Sequence, residues 1–289
     1  MIETTDEISE NKIIFNALKE GYKIPNIIHY TFCTETNIPN EMKLVIEHNK
    51  KMCDNCTFIF YNDNDCDEFI KANFDEEVYN AYNSINPVYG AMKADFFRYC
   101  VLYKTGGIYI DIKSIIKCPI FKLINKTDIC ILDYPRTAYE RWRKYTLPTF
   151  EQWLLIFAPG HPYLLSMINL MVHYIKMHYE PVIKYIPYLT TKEKILNVTG
   201  PDAFAKAIFL YVNSHQNAGK TLHRNIDYKK YFKINYNENY KQMYKMNDKT
   251  HYSDLNAPLY KNQVKYEIKS TAFTYSNIKT PRKNLNLMK

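Results

Sequence analysis

The chain has 289 residues, 46% hydrophobic and 24% charged, close to globular averages, which excludes collagen-like, disordered and disulfide-scaffold classes. Lys+Arg 38 against Asp+Glu 30 gives a net charge of +8. The excess sits in residues 216–289, where 15 Lys/Arg face 5 Asp/Glu, so this tyrosine-rich part is either a solvated basic surface or a contact for an anionic partner such as phosphate, acidic lipid or nucleic acid.

The seven cysteines, at 33, 53, 56, 66, 100, 118 and 130, show no framework spacing. Cys53-Asp54-Asn55-Cys56 is a CxxC, suited to half a zinc site or a redox pair, with no second CxxC to complete a metal set. The opening MIETTDEISENK is acidic and polar, unlike a signal or transit peptide, and no run of about 18 apolar residues exists to span a bilayer. These features predict a cytoplasmic protein.

In chain order, residues 6–20 suit a short amphipathic helix, and Ile24-Pro25-Asn26-Ile27-Ile28-His29-Tyr30 reads as a first strand. Pro39 can open a helix to about Met52, and Thr57-Phe58-Ile59-Phe60-Tyr61 is a second strand. Asn62-Asp63-Asn64-Asp65 supplies turn and N-cap chemistry for the next helix. From Pro87, the residues Tyr89, Met92, Phe96, Tyr99 and Tyr103 recur at three- or four-residue steps on one helical face. Gly106-Gly107 ends that helix, and strands follow at 108–111 and 129–133. An apolar stretch at 153–158, a helix over 161–179 and a helix opened by Gly200-Pro201-Asp202 complete the pattern. Alternating strands and helices predict an α/β fold with a mainly parallel sheet, in a single domain over 1–289.

Asp95 and Arg98, three apart, project from one side of the helix. Asp111 falls where a strand ends, and in open α/β sheets ligands bind beyond the carboxyl ends of strands. The three residues can therefore converge on a crevice suited to sugar hydroxyls and phosphate, or form a surface ion pair beside a solvated loop.

Ala91, Asp95, Arg98, Tyr99, Leu102, Tyr103, Gly106, Gly107, Ile108, Tyr109 and Asp111 stand in one register. That run resembles the signature of the DXD-type sugar transferases of glycosyltransferase family 32, related to Golgi initiating mannosyltransferases, bacterial capsule-sugar transferases and large glucosylating toxins. Ile24-Pro25-Asn26-Ile27-Ile28-His29, the strand and acidic turn over Phe58–Asp65, Ala158-Pro159-Gly160-His161-Pro162 and Thr199-Gly200-Pro201 resemble further landmarks, covering residues 24 to about 212.

The resemblance implies a Rossmann-like GT-A fold and transfer from a nucleotide-diphosphate sugar, UDP favoured, to a glycan, protein or lipid acceptor, with retention. Asp95 and Arg98 would hold the donor's sugar hydroxyls, and Asp111 ribose or sugar. His29, Tyr30 and Phe32 would lie by the base, with Tyr30 or Phe32 stacking on it, although an interior strand histidine bonded to a backbone carbonyl remains an open reading for His29. The family's second acid, a ligand for Mn²⁺ or Mg²⁺, is Lys113 here, and an ammonium cannot ligate a cation. Lys113 either takes over the metal's electrostatic work on the diphosphate or marks a weakened enzyme. Asp111, with His251 or Asp254 as late contacts, would be the remaining metal ligands. Trp142, Trp153 and Tyr163 are candidates for an acceptor groove or for packing, and Asp202 for complementing a helix dipole or for an acceptor-side role. Two alternatives stand beside the transferase: a nucleotide-sugar-binding module without turnover, and a basic nucleic-acid binder that no recognition motif supports, so no specific nucleic-acid partner is expected.

Overall fold

The computed structural model describes residues 21–134, 149–178, 190–214, 222–234 and 254–261. The helix expected over 6–20, Trp142, His251 and most of the basic C-terminal part lie outside the described residues.

Chain order runs β1 (Ile27–Thr31), α1 (Asn40–Met52), β2 (Thr57–Tyr61), α2 (Asp63–Asn73), α3 (Glu76–Ser84), α4 (Gly90–Thr105), β3 (Gly107–Ile110), β4 (Ser114–Ile116), a 3₁₀ turn (Ile120–Lys122), β5 (Cys130–Asp133), β6 (Leu154–Phe157), α5 (Pro162–Lys176), α6 (Thr191–Val198), α7 (Pro201–Ser214), β7 (Arg224–Ile226), α8 (Tyr228–Tyr231) and β8 (Phe232–Ile234). Six strands form one sheet in the order β2-β1-β3-β6-β5-β7, and β4 pairs with β8 in a small second sheet. The main sheet is parallel except for β6, which runs antiparallel to both β3 and β5. This is the expected α/β architecture, a mainly parallel sheet flanked by helices.

Side chains alternate across a strand, and here the alternation builds two cores. Ile28, Ile108, Ile110, Leu154, Ile156 and Ile131 pack on one face. On the other, Tyr109, Leu155, Phe157, Cys130 and Leu132 meet α4, α5 and α7. Helix α4 is buried nearly all round, including Met92, Phe96, Tyr99 and Tyr103 from the predicted stripe. It begins at Gly90 rather than Pro87, because Asn86 forms a turn first: its carbonyl accepts from Tyr89 N at 3.0 Å and its Oδ1 from Val88 N at 3.2 Å.

Asn62 caps α2 with a reciprocal capping box to Asp65, as the turn chemistry predicts. Helix α3 is an element the sequence reading passed over. Its signals are Asp75, whose side chain accepts from Val78 N, and the buried Val78, Ala81, Tyr82 and Ile85 at helical spacing.

Candidate functional site

The site is built on the turn from α4 into β3. Gly106 and Gly107 both have positive φ, 65° and 96°. A Cβ on Gly106 would lie 2.6 Å from Pro159 Cδ, and one on Gly107 would lie 2.6 Å from the Ile27 carbonyl oxygen. Only glycine lets β3 start this close to β1, and that placement delivers Asp111 to the carboxyl end of the sheet. Asp111 is then fixed through its backbone: its N–H donates to Trp153 O at 2.8 Å, and its carbonyl accepts from Ser114 N at 2.8 Å.

Arg98 bridges the two predicted acids. Its Nη2 lies 2.9 Å from Asp95 Oδ1 and 3.5 Å from Asp111 Oδ1, while Nη1 donates to Gln152 O at 2.7 Å. The guanidinium sits 4.7 Å over the Tyr109 ring. Burial works against its charge, but Tyr109, Asp95 and Asp111 outweigh that and keep it cationic. Each guanidinium nitrogen has a protein acceptor, since Nε reaches Ala94 O. The geometry therefore gives Arg98 the work of fixing two carboxylates.

Asp95 receives a second bond, from Thr199 Oγ1 to Oδ2 at 3.0 Å. Burial pushes its carboxyl up to about 6 against the opposing pull of Arg98 and Thr199. Tyr99 OH donates to the Thr199 carbonyl at 3.2 Å and accepts from the Gln152 side-chain amide. Asp95, Thr199, Tyr99, Gln152 and Arg98 thus close a ring of polar contacts drawn from α4, the segment before β6 and the segment before α7. Thr199, Gln152, Tyr99 and Tyr109 were not read as site residues from sequence. Thr199 stood in the quoted Thr-Gly-Pro landmark, but nothing local shows that its hydroxyl reaches a residue 104 positions away.

Lys113 reaches Asp111 from the other side, Nζ to Oδ2 at 3.9 Å. Asp111 is the most open of the four charged side chains at 22% exposure, against 14% for Asp95, 8% for Arg98 and 16% for Lys113. Two buried donors nearby, Trp153 Nε1 and Ser114 Oγ, have no hydrogen-bond partner among the described residues. Trp153 packs against Tyr228 and Phe232, and Tyr163 is fully buried, so both are packing residues in the described structure.

His29 faces the interior, with no exposure. Its Nε2 lies 3.0 Å from Gly106 O and 3.1 Å from Thr105 Oγ1, and its Nδ1 lies 3.2 Å from Tyr61 OH. Burial lowers its pKa to about 4, with the Gly106 carbonyl pulling back upward. It is the neutral interior histidine of the open reading, tying β1 to the glycine turn. Tyr30 and Phe32 face the opposite core, where Tyr30 is buried against Phe60 at 5.5 Å and Phe32 is half-buried. Phe32 retains the more accessible ring. Asp202 occupies the first turn of α7, the dipole position.

A divalent cation needs several oxygen ligands. Among the described residues no group of three or more His, Cys, Asp or Glu assembles for one. Asp111 is the carboxylate of the 111–113 loop and is flanked by two cations, Arg98 and Lys113. The described side chains do not fit the family's metal, and no step is assigned to it.

Residues 39–130 match the family described as the glycosyltransferase sugar-binding region containing a DXD motif. An initiation-specific alpha-1,6-mannosyltransferase of Candida albicans is 26% identical over 171 residues, covering 53% of this chain and 43% of that protein. An inositol phosphoceramide mannosyltransferase of Schizosaccharomyces pombe is 28% identical over 200 residues, 68% and 47% respectively. Among solved structures, the PaToxG glycosyltransferase aligns with a TM-score of 0.47 at 15% identity, covering 73% of this chain and 82% of that one. The chain spans about half the length of the curated relatives it matches.

These relatives correct one expectation. They fall in the mannosyltransferase group that the resemblance places in the Golgi, which overturns the cytoplasmic placement. Among the described residues no helix is long and apolar enough to cross a membrane. Its signature run in register across α4 and β3, its matched sugar-binding segment and its mannosyltransferase relatives together support a glycosyltransferase similar to the DXD-type enzymes of family 32.

Proposed function

We propose that the chain transfers a hexosyl group, mannose foremost, from a nucleotide-diphosphate sugar to a hydroxyl of a glycan or lipid acceptor, with retention at the anomeric carbon. The observation that carries this reading is Arg98 holding Asp95 and Asp111 together at the carboxyl end of β3. Two carboxylates so held accept hydrogen bonds from sugar or ribose hydroxyls without needing to reorganise, which is how a preorganised site favours the reacting geometry. Lys113 supplies a cation at the rim, suited to the charge that develops on the leaving diphosphate. In the family a divalent cation does that work. Lys113 does it in this chain, with the diphosphate contacting the ammonium directly.

The mannosyl group is favoured by the names of the relatives. The ceramide acceptor in one of those names favours a lipid hydroxyl beside a glycan one. Resemblance alone favours UDP as the nucleotide. A panel of UDP- and GDP-sugars, screened for thermal stabilisation and then for transfer, tests both points. A ligand at 100 times its Kd adds about 2.7 kcal/mol of stability. A panel in which no nucleotide sugar stabilises the chain rejects the reading.

One observation favours a second reading, a nucleotide-sugar-binding module without turnover: the family's second acid is replaced by Lys113. Stabilisation by a donor without hydrolysis or transfer would select it.

A further inference from the structure

The Cys53-Asp54-Asn55-Cys56 motif takes no part in the sugar site, and its geometry points to chemistry of its own. Cys53 follows the last turn of α1, where its N–H donates to Asn49 O at 3.0 Å, and it has no exposure. Cys56 N donates back to Cys53 O at 2.9 Å, so the four residues form a tight turn. A turn of this kind keeps its end Cα atoms within about 7 Å, which is compatible with a disulfide. The Cys56 thiol donates to Asn55 Oδ1 at 3.7 Å, within the turn. The neighbouring Cys56, helped by the Ile120 backbone, makes the Cys53 thiol more acidic than usual against the opposing effect of burial. Cys118 also lies close enough to feel the Cys53 charge.

We propose that Cys53 and Cys56 are a reversible redox site, closing an intramolecular disulfide by exchange with a low-molecular-weight disulfide. Cys56, the half-buried partner, attacks first as its thiolate: a sulfur–sulfur bond forms to one half of the small disulfide and the other half leaves as a thiolate. The Cys53 thiolate then attacks Cys56 Sγ, the protein disulfide forms, and the second small thiol departs. Two protein thiols are oxidised, one small disulfide is reduced to two thiols, and the two protons pass to the leaving thiolates or to solvent.

The site sits at a junction with the sugar site. Asn49, one turn before Cys53, donates through Nδ2 to Ser114 O at 2.8 Å and accepts from Ile116 N through Oδ1 at 2.9 Å. His48 Nε2 lies 2.9 Å from Ile116 O. The end of α1 therefore clasps β4, the strand that continues directly from Asp111 and Lys113. Closing so short a loop restricts the unfolded chain little, so the bond acts as a switch rather than a staple.

The intact chain should be equilibrated in glutathione buffers of graded ratio, quenched with acid, alkylated and mapped by mass spectrometry. The expected result is a Cys53–Cys56 cross-link in which both residues convert together at one potential, while Cys66, Cys100 and Cys130 stay reduced. Hydrogen exchange at the Ile116 amide should change several-fold with oxidation. Cys56→Ser should abolish both effects with the unfolding midpoint of the reduced protein unchanged, and Cys118→Ser should leave both in place. A Cys53–Cys118 cross-link, a glutathione adduct on Cys56 that Cys53 never resolves, a metal ion held by these thiols, or a pair still reduced in the most oxidising buffer would each overturn the proposal. None of these readouts depends on sugar transfer.

Discussion

The Thr199 hydroxyl donates to Asp95 Oδ2 at 3.0 Å while Arg98 holds Oδ1 at 2.9 Å, so one carboxylate is gripped from two distant parts of the chain. Both grips favour the ionised form, whereas burial and Asp111 oppose it, leaving the carboxyl at about 6. Donor binding that needs ionised Asp95 should therefore fall as pH drops through about 6. Thr199→Val removes one stabilising bond and should move that acid limb toward neutral pH. Thr199→Ser, which keeps the hydroxyl, should restore it. A pH series of donor affinity for the three proteins is the measurement, and an acid limb at the same pH in all of them would remove Thr199 from this role.

Replacing Arg98 should cost both binding and stability. It leaves Asp95 and Asp111 facing each other without their shared cation, and breaking a buried pair costs about 3–5 kcal/mol. Arg98→Lys should not rescue transfer, because one ammonium cannot reach Asp95, Asp111 and the Gln152 carbonyl together. Asp95→Ala should abolish transfer. Transfer assays paired with urea unfolding separate the two effects, and near-normal transfer by both Arg98→Lys and Asp95→Ala would exclude the site.

The Lys113 assignment leads to an expectation about chelators. If the ammonium stabilises the leaving diphosphate, turnover should survive EDTA at least in part and be lost in Lys113→Ala. Lys113→Asp should make turnover respond to Mn²⁺. Complete loss of wild-type turnover in EDTA, restored by Mn²⁺, would assign the charge stabilisation to a cation instead.

Acid should weaken the fold through two histidines. His29 and His161 are both held near 4 by burial, below the ordinary 6.5, so between about pH 6.5 and 4 the unfolded chain binds protons that the folded one refuses. Each contributes stability that is full above 6.5 and lost on descent, on the order of 3 kcal/mol at the low end. Asp95 acts in the opposite direction, since its raised pKa lets the folded state take up a proton between about 4 and 6. The net expectation is a fall in unfolding free energy from pH 7 to 5, flatter in His29→Gln. Urea titrations at both pH values measure it, and equal slopes in the two proteins would contradict it.

Much of the frame was legible because it is local. The span of β2, the Asn62 cap and the Gly-Gly stop are decided by neighbouring residues. The Asp95 and Arg98 pairing followed from helical spacing. The missing parts are non-local: Gln152 and Thr199 join the site through tertiary contacts, and the reversal of β6 leaves no mark in an apolar run such as Leu154-Leu155-Ile156-Phe157. Helix α3 was legible and overlooked, since no glycine or proline punctuates its start. His29 stayed open between base contact and interior histidine because a strand histidine in a resembling motif carries no sign of which face it occupies.

The reversed direction of β6 also divides labour along its length. Its entry, with Gln152 and Trp153, meets Arg98 and Asp111 at the carboxyl end of β3. Its exit, with Ala158 and Pro159, abuts the Gly106 turn at the far end. One four-residue strand thus carries both the contacts that fix the charged cluster and the contact that closes on the glycine turn.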